Sequence, residues 1–326
     1  MKLRDLGEDG FLEKLQETFP NLIADITDDC AIITPDETTL VSSDMLIEGT
    51  HFTIPPFDHY HVGTKAALAN ISDILATGGR PLYLSICVGV PPETDLEDLL
   101  RLYRGIEYAC ERYGCTIIGG DTCRSDKLIL SVTVLGTCKD PVKRSGAKPD
   151  QVLIITGRPG TSAVGLEALL KGYPLPLFFQ QIERHLIPGL RSEFALAVAE
   201  KRLAKAMIDI SDGLIKDAHR LSKASGVAVE IEKEKLPGLL LSEEQLKWLE
   251  HSEEFYILNG GEEYELMLTA QREDIPEIEK IARKTNTPIS IIGGIREGSG
   301  VYLISKGKRI PASHRGFSHF QEEENA

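Results

Sequence analysis

Clustered positive charge is missing from this sequence. Lys and Arg number 36 against 50 Asp and Glu, giving a formal net charge of -14, and no run of Lys and Arg forms a local exception. Such a balance opposes attraction to nucleic acid or to an anionic membrane surface, so an anionic ligand would need metal ions or local donors. A membrane-spanning run is missing as well: the longest charge-free apolar stretch, around Pro81 to Pro92, falls short of the ~20 residues that a bilayer requires. Met1-Lys-Leu-Arg leads into Asp5, Glu8 and Asp9 without an apolar segment, so no signal peptide is expected and the protein is expected to be cytoplasmic. The six cysteines (Cys30, Cys87, Cys110, Cys115, Cys123, Cys138) include no C-x-x-C pair. They are expected to be small buried hydrophobes, in neither a disulfide nor a zinc site.

The common catalytic signatures are absent too. The only Gly-Lys, Gly307-Lys308, is followed by Arg309 and has Tyr302 where a P-loop needs its first glycine. Neither H-E-x-x-H, H-R-D nor G-x-G-x-x-G occurs, which removes the main support for the usual hydrolase, protein-kinase and dinucleotide readings. Gly160-Thr-Ser-Ala-Val-Gly165 is one residue too long for a nucleophile elbow, and Ser162 is expected to cap the following helix.

What remains is an ordinary globular composition, 42% hydrophobic and 26% charged. At 326 residues the chain exceeds the ~250 to 300 at which one core usually splits, so two domains are expected. Strand patterns at 39–43, 82–90, 115–118 and 128–137 alternate with helical patterns at 60–77 and 96–113, predicting an α+β domain over residues 1–138. The breaker-rich stretch 139–150 reads as a linker. A second mixed α/β domain, 151–326, follows from strands at 151–156, up to Asp209, 227–231, 264–269, 289–292 and 301–304, with helices after Gly160 and from Leu214.

Aspartates recur at strand ends and after glycines, where loop-built sites are placed: Asp28-Asp29, Asp44, Asp121, Asp209 and Asp212. Each alone fits a turn or a cap. Asp73 is unlike them, because it lies in mid-helix among Ala66, Ala67, Leu68, Ala69, Ile71, Ile74 and Leu75, on the face of Asn70, where a carboxylate would be partly buried. Clustered carboxylates repel unless cations hold them, and hard oxygen ligands suit Mg²⁺, which is usually shared with substrate phosphates. A nucleotide-using enzyme is the leading expectation.

In order along the chain, Asp28-Asp29-Cys30-Ala31, Ser42-Ser43-Asp44 through His51-Phe52, Asn70-Ile71-Ser72-Asp73, Gly119-Gly120-Asp121-Thr122, Arg144 to Pro149, Arg184-His185-Leu186, Asp209 to Leu214, Gly260 to Glu265 and Gly316 to Phe320 are similar to the motifs of the thiamine-monophosphate kinase family. That family is part of the aminoimidazole ribonucleotide synthetase superfamily. Thr27, Glu263 and His314 depart from its pattern, where a glycine, an aspartate and an aromatic are usual.

The resemblance implies ATP-dependent phosphorylation of thiamine monophosphate to thiamine diphosphate by direct in-line transfer. It places Mg²⁺ ions at Asp29, Ser42, Ser43, Asp44, Asp73, Asp121, Asp209 and Asp212, and nucleotide contacts at Tyr103, Gly120, Asp121, Arg144 and Ser211. His51, Glu262 and Phe317 would contact the thiamine phosphate, and Asp44, Asp73, Asp121, Arg144 and Asp212 would carry the catalysis. It also implies a homodimer whose N-terminal domains close a shared barrel with their β-strands. The acceptor is a phosphate oxygen already largely deprotonated, so no strong general base is required. Two alternatives stand beside this reading: another ATP-using enzyme of the superfamily, or a non-catalytic divalent-metal-binding protein. The first is expected to show a reactive N-terminal Cys or Lys in a glycine-rich segment or a C-terminal cysteine, and the second a twelve-residue Ca²⁺ loop; neither is present.

Overall fold

The computed structural model describes residues 14, 17–19 and 37–313. Asp28, Asp29, Cys30 and Phe317 lie outside them. The chain divides into two compact units, Met1–Pro141 and Val142–Ala326.

In the first unit β1 (Thr38–Ile47), α1 (His59–Ala76), β2 (Arg80–Val90), α2 (Leu96–Tyr113), β3 (Thr116–Arg124) and β4 (Ile129–Cys138) follow one another. The four-stranded sheet has the order β1-β4-β2-β3, with β2 and β3 parallel and the other pairs antiparallel. Asp58 starts α1 by accepting the His61 amide, the short acidic cap that frees no competing donor. The two long helices meet backbone to backbone: a Cβ at Gly63 would lie 2.0 Å from the Leu102 carbonyl oxygen, and one at Gly105 2.0 Å from that of Tyr60. Their apolar faces cover Leu84, Ile86 and Val88 of β2 and Leu130, Val132 and Val134 of β4, all buried, as period-two alternation requires. The opposite sheet face is open, with Val41 64% and Met45 51% exposed.

Two strands run further than their sequence patterns suggest. β1 continues past Asp44 to Ile47 because β4 supplies partners as far as Ile129, and β3 continues past Asp121 to Arg124 alongside Val90. Gly120 makes this possible, since a Cβ there would lie 1.8 Å from the Ile86 carbonyl oxygen. The described cysteines are free. Cys87 and Cys123, however, are exposed rather than buried, because they lie on parts of the sheet that neither helix covers.

The second unit comprises β5 (Val152–Thr156), α3 (Thr161–Lys171), α4 (Leu175–Leu186), α5 (Ser192–Glu200), β6 (Ala206–Ile210), α6 (Leu214–Ser225), β7 (Ala228–Glu232), α7 (Glu243–Leu246), α8 (Glu253–Asn259), β8 (Glu265–Ala270), α9 (Ile275–Lys284), β9 (Ile289–Arg296), β10 (Gly300–Ser305) and β11 (Lys308–Pro311). Its seven strands are ordered β11-β10-β7-β9-β5-β8-β6, and of these neighbours only β7 and β10 are parallel. β5, β6 and β8 are buried along their whole length, so both of their faces are covered; they read as mostly apolar runs instead of alternating ones, with Asp209 and Glu265 as the buried acids among them. Among the described residues no helix is long and apolar enough to cross a membrane.

Candidate active site

In the first unit β1 lies across the polar stripe of α1. The Ser42 hydroxyl donates to Asp73 Oδ2 at 2.5 Å, and the Asp44 amide donates to Asn70 Oδ1 at 3.0 Å. Asn70 is itself fixed, its Nδ2 donating to the Ala66 carbonyl at 3.0 Å. The Asn70 and Asp73 spacing read from the sequence thus forms one dock for the acid-bearing strand. Asp44 is exposed and Asp73 half-buried.

Other predicted residues are placed elsewhere. Ser43 pairs with Thr133 across the sheet, their hydroxyls 2.9 Å apart, so alternation turns it away from Ser42. Asp121 is in register with Cys87, the exposed side of β2, and its Oδ1 accepts the Thr122 amide at 2.9 Å. Among the described residues no group of three His, Cys, Asp or Glu side chains could hold a metal ion. His51 Nδ1 accepts the Ile47 amide at 3.0 Å, which leaves the ring proton on Nε2. Tyr103 is 5% exposed within α2 and its ring stands 6.4 Å from that of Phe19. Burial, with a smaller contribution from Cys87, pushes its hydroxyl well above the ordinary phenol range.

In the second unit the candidate residues gather at the turn that follows β6. Asp209 is 2% exposed at the strand's end. Gly213 opens α6 at φ 114°, and a Cβ there would lie 2.7 Å from the Asn259 carbonyl oxygen. Asp217, fully buried one turn into α6, reaches back: its Oδ2 accepts the amides of Ser211 and Asp212, both at 3.0 Å. Arg220 clasps both acids, with Nη1 2.6 Å from Asp217 Oδ1 and Nη2 on Asp212 Oδ2, while Lys216 Nζ is 2.9 Å from Asp212 Oδ2. Burial raises the Asp217 carboxyl to about 6 against the opposing pull of Arg220. For Asp212 burial also works upward, but Lys216 and Arg220 outweigh it and hold the group below the usual carboxylate range.

The sequence reading passed over Asp217, which looks like an ordinary charge in an amphipathic helix; the one signal was its i,i+3 spacing to Arg220. Asp217→Ala is expected to destabilise the protein by about 2–3 kcal/mol, because it strands two turn amides and a guanidinium. Chemical denaturation of the variant and the wild type at pH 7.5 would show it.

The segment Gly260 to Glu265 is sewn to the same turn. The Glu262 amide donates to the Ser211 carbonyl at 2.6 Å and the Tyr264 amide to that of Ile210 at 2.8 Å. Both residues have left-handed backbones, with φ 56° and 50°, a strain held by these contacts. Arg144 is exposed in a 3-10 turn, Arg144–Gly146, whose carbonyl at Arg144 accepts the Ser225 hydroxyl at 2.7 Å. Gly146 lets that turn approach the chain before β6, since a Cβ would lie 1.8 Å from the Lys205 carbonyl oxygen.

Ser162 corrects an expectation. The N-cap of α3 is Gly160, which has no side chain to cap with; Ser162, fully buried, places its hydroxyl 3.0 Å from His185 Nδ1 instead. The first-turn amides of Ser162 and Ala163 go to Glu263 Oε1, at 3.0 and 3.2 Å, so a distant carboxylate does the capping.

Comparison with known proteins places this architecture among the AIR synthase related proteins. The family models described as "AIR synthase related protein, N-terminal domain" and "AIR synthase related protein, C-terminal domain" match residues 27–138 and 148–306. A thiamine-monophosphate kinase of Aquifex aeolicus is 34% identical over 328 residues, 98% of this chain and 100% of the relative. One of Bacillus subtilis is 32% identical over 311 residues, covering 91% and 93%. A solved structure described as "AaThiL complexed with AMPPCP and TMP" superposes with a TM-score of 0.79 at 32% identity, covering 98% of this chain and 99% of the other. The chain belongs to the thiamine-monophosphate kinase family. The hydrogenase maturation protein HypE of E. coli, at 18% identity and a TM-score of 0.78, shares the fold.

Proposed function

We propose that this protein transfers the γ-phosphoryl group of ATP directly to the phosphate of thiamine monophosphate, giving thiamine diphosphate and ADP. The observation that carries this reading is the match to thiamine-monophosphate kinases over 98% of the chain. The attacking group is a phosphate oxygen ionised at neutral pH, so the task is to align two polyanions rather than to remove a proton.

The donor set suits a hard divalent ion such as Mg²⁺, being made of carboxylates and hydroxyls with no thiolate or imidazole. The positions that would serve such ions are, in the first unit, Ser42, Asp44 and Asp73, which share one side of β1, and Ser43 and Asp121, which lie on the other face of the sheet; in the second unit, Asp209 and Asp212; and, outside the described residues, Asp29. When bound, Mg²⁺ supplies charge that offsets the phosphates and a template for the attacking and leaving oxygens. The rest falls to the chain. In the first unit Gly120 would present bare backbone and Tyr103 its part of α2 to the nucleotide; in the second Ser211 would offer a hydroxyl and the exposed Arg144 guanidinium a fork to a phosphate. His51, Glu262 and Phe317 orient the thiamine phosphate.

The open face of the first unit's sheet, with Val41 and Met45 exposed, fits burial against a second copy, the shared barrel of a homodimer. A cytoplasmic setting fits the reduced cysteines.

Purified protein incubated with ATP, Mg²⁺ and thiamine monophosphate is expected to yield thiamine diphosphate on chromatography. Absence of product, with phosphoryl transfer to a different acceptor, overturns the reading; sedimentation tests the dimer.

A further inference from the structure

Two consecutive glutamates, Glu262 and Glu263, are both tied to Ser162, by different atoms. Its amide donates to Glu263 Oε1 at 3.0 Å, while its hydroxyl meets His185 Nδ1 at 3.0 Å. On its far side His185 turns Nε2 toward Glu262 Oε2, 3.8 Å away. A hydroxyl donating to Nδ1 fixes the tautomer with the proton on Nε2, directed at the Glu262 carboxylate. At 3.8 Å the contact of this neutral ring is longer than a hydrogen bond, as is common at sites that tighten on ligand binding.

Burial divides the chain of contacts. Ser162 is fully buried and the His185 side chain is 1% exposed, whereas the Glu262 side chain is 32% exposed. The hydroxyl and the imidazole are therefore shut away from any substrate, and only the carboxylate reaches out. A nucleophilic serine is excluded for the same reason, and the ring is also reversed from that arrangement, in which Nε2 faces the hydroxyl. The left-handed backbone of Glu262 and its bond to the Ser211 carbonyl already fix where the side chain starts. What the backbone leaves free is the direction of the carboxylate, and the imidazole supplies a fixed donor for it, as outer partners do for metal ligands.

We propose that Ser162 and His185 are a positioning pair that aims the Glu262 carboxylate at the cationic, amino-bearing rings of the thiamine phosphate, with no part in binding ATP. This inference rests on the kinase reading above. It predicts a loss confined to one substrate.

The test is steady-state kinetics of the full chain, varying thiamine monophosphate and ATP separately, for Ser162→Ala, His185→Leu and His185→Gln. Ser162→Ala and His185→Leu are expected to raise KM for thiamine monophosphate about 2- to 12-fold, the effect of losing one ordinary buried hydrogen bond. KM for ATP should stay within about twofold, and kcat should change much less than the affected KM. His185→Gln, whose amide nitrogen can replace Nε2, should recover most of the loss. In a Glu262→Gln background, Ser162→Ala should add little, since both act through one carboxylate. Unchanged KM for thiamine monophosphate in a folded Ser162→Ala protein, or an equal rise in both KM values, overturns the pair. If His185→Leu does not fold, Ser162→Ala decides, because it removes a single buried oxygen. A wild-type protein that does not phosphorylate thiamine monophosphate overturns the kinase reading itself, whereas an active wild type with unaffected variants overturns this inference alone.

Discussion

Asp44→Asn is expected to lower kcat by about 10²–10³-fold while moving the thermal midpoint of the ligand-free protein by no more than about 1 °C. The two halves of this expectation have separate physical origins. The side chain of Asp44 is exposed, and the contact that docks its strand on α1 is made by its backbone amide to Asn70, which asparagine keeps. The fold should therefore not register the change. Catalysis should, because asparagine preserves the shape and one oxygen but removes a full negative charge from a position that the proposed function gives to a cation shared with phosphates. Asp212→Asn should reduce turnover comparably, with a small cost in stability, since Lys216 and Arg220 both rest on that carboxylate. Turnover at saturating ATP and thiamine monophosphate, measured beside a melting curve, tests both. An Asp44→Asn protein that unfolds would make the aspartate structural.

Local patterns carried the site's raw materials further than its assembly. The i,i+3 pair Asn70 and Asp73 could be read from helical periodicity, and it receives Ser42 and the Asp44 amide. The full extents of β1 and β3 could not, because they depend on partners in β4 and β2 that are distant in sequence. Alternation along these strands separates Ser43 and Asp121 from Ser42, a consequence of register that a list of acidic positions does not contain. Cys110 lies on the buried face of α2 and Cys115 just before β3, whereas Cys87 and Cys123 lie on strands and are exposed, a difference that residue type alone does not carry. Ser162 looked like a cap by its place before a helix. A carboxylate 101 residues away took that role, and the hydroxyl went to His185. Asp217 was hidden for the opposite reason: its helix pattern gave no sign that the side chain folds back onto the turn before it.

The alternating acids of the Gly260 to Glu265 segment should give the second unit a stability that responds to pH in two opposite ways. Glu265 is buried beneath two arginines: Arg191 makes a fork to it at 2.8 and 2.6 Å, Arg184 reaches it at 2.8 Å, and the Thr156 hydroxyl donates at 2.5 Å. Burial alone would raise its carboxyl, but Arg184 and Arg191 reverse this and hold it below its ordinary 4.5. Its contribution is accordingly present above that value and is lost as pH falls further. Glu265→Gln should cost about 3–5 kcal/mol at neutral pH, since it leaves buried guanidinium charge uncompensated. Glu263 is the reverse case. Arg184 spends its contacts on Glu265 and on the Glu263 carbonyl, so the Glu263 carboxyl has helix amides at Oε1, while Oε2 is the one buried side-chain polar atom among the described residues without a hydrogen-bond partner. Burial raises its pKa from 4.5 to about 7 despite the opposing pull of Arg184 and the amides of Ser162, Ala163 and Gly160. The folded state thus holds this proton more tightly than the unfolded chain does. Its contribution is complete below 4.5 and is lost as pH rises through about 7. Glu263→Gln keeps an acceptor for the amides and removes the charge, so at pH 8 it should stabilise the protein by about 1–3 kcal/mol, or about 2–4 °C of melting temperature for each kcal/mol. At pH 5 the gain should fall to about a quarter of that. Melting curves of the wild type and both variants between pH 4 and pH 9 decide it, and a Glu263→Gln gain that is the same at pH 5 and pH 8 would show that the carboxyl does not titrate in that range.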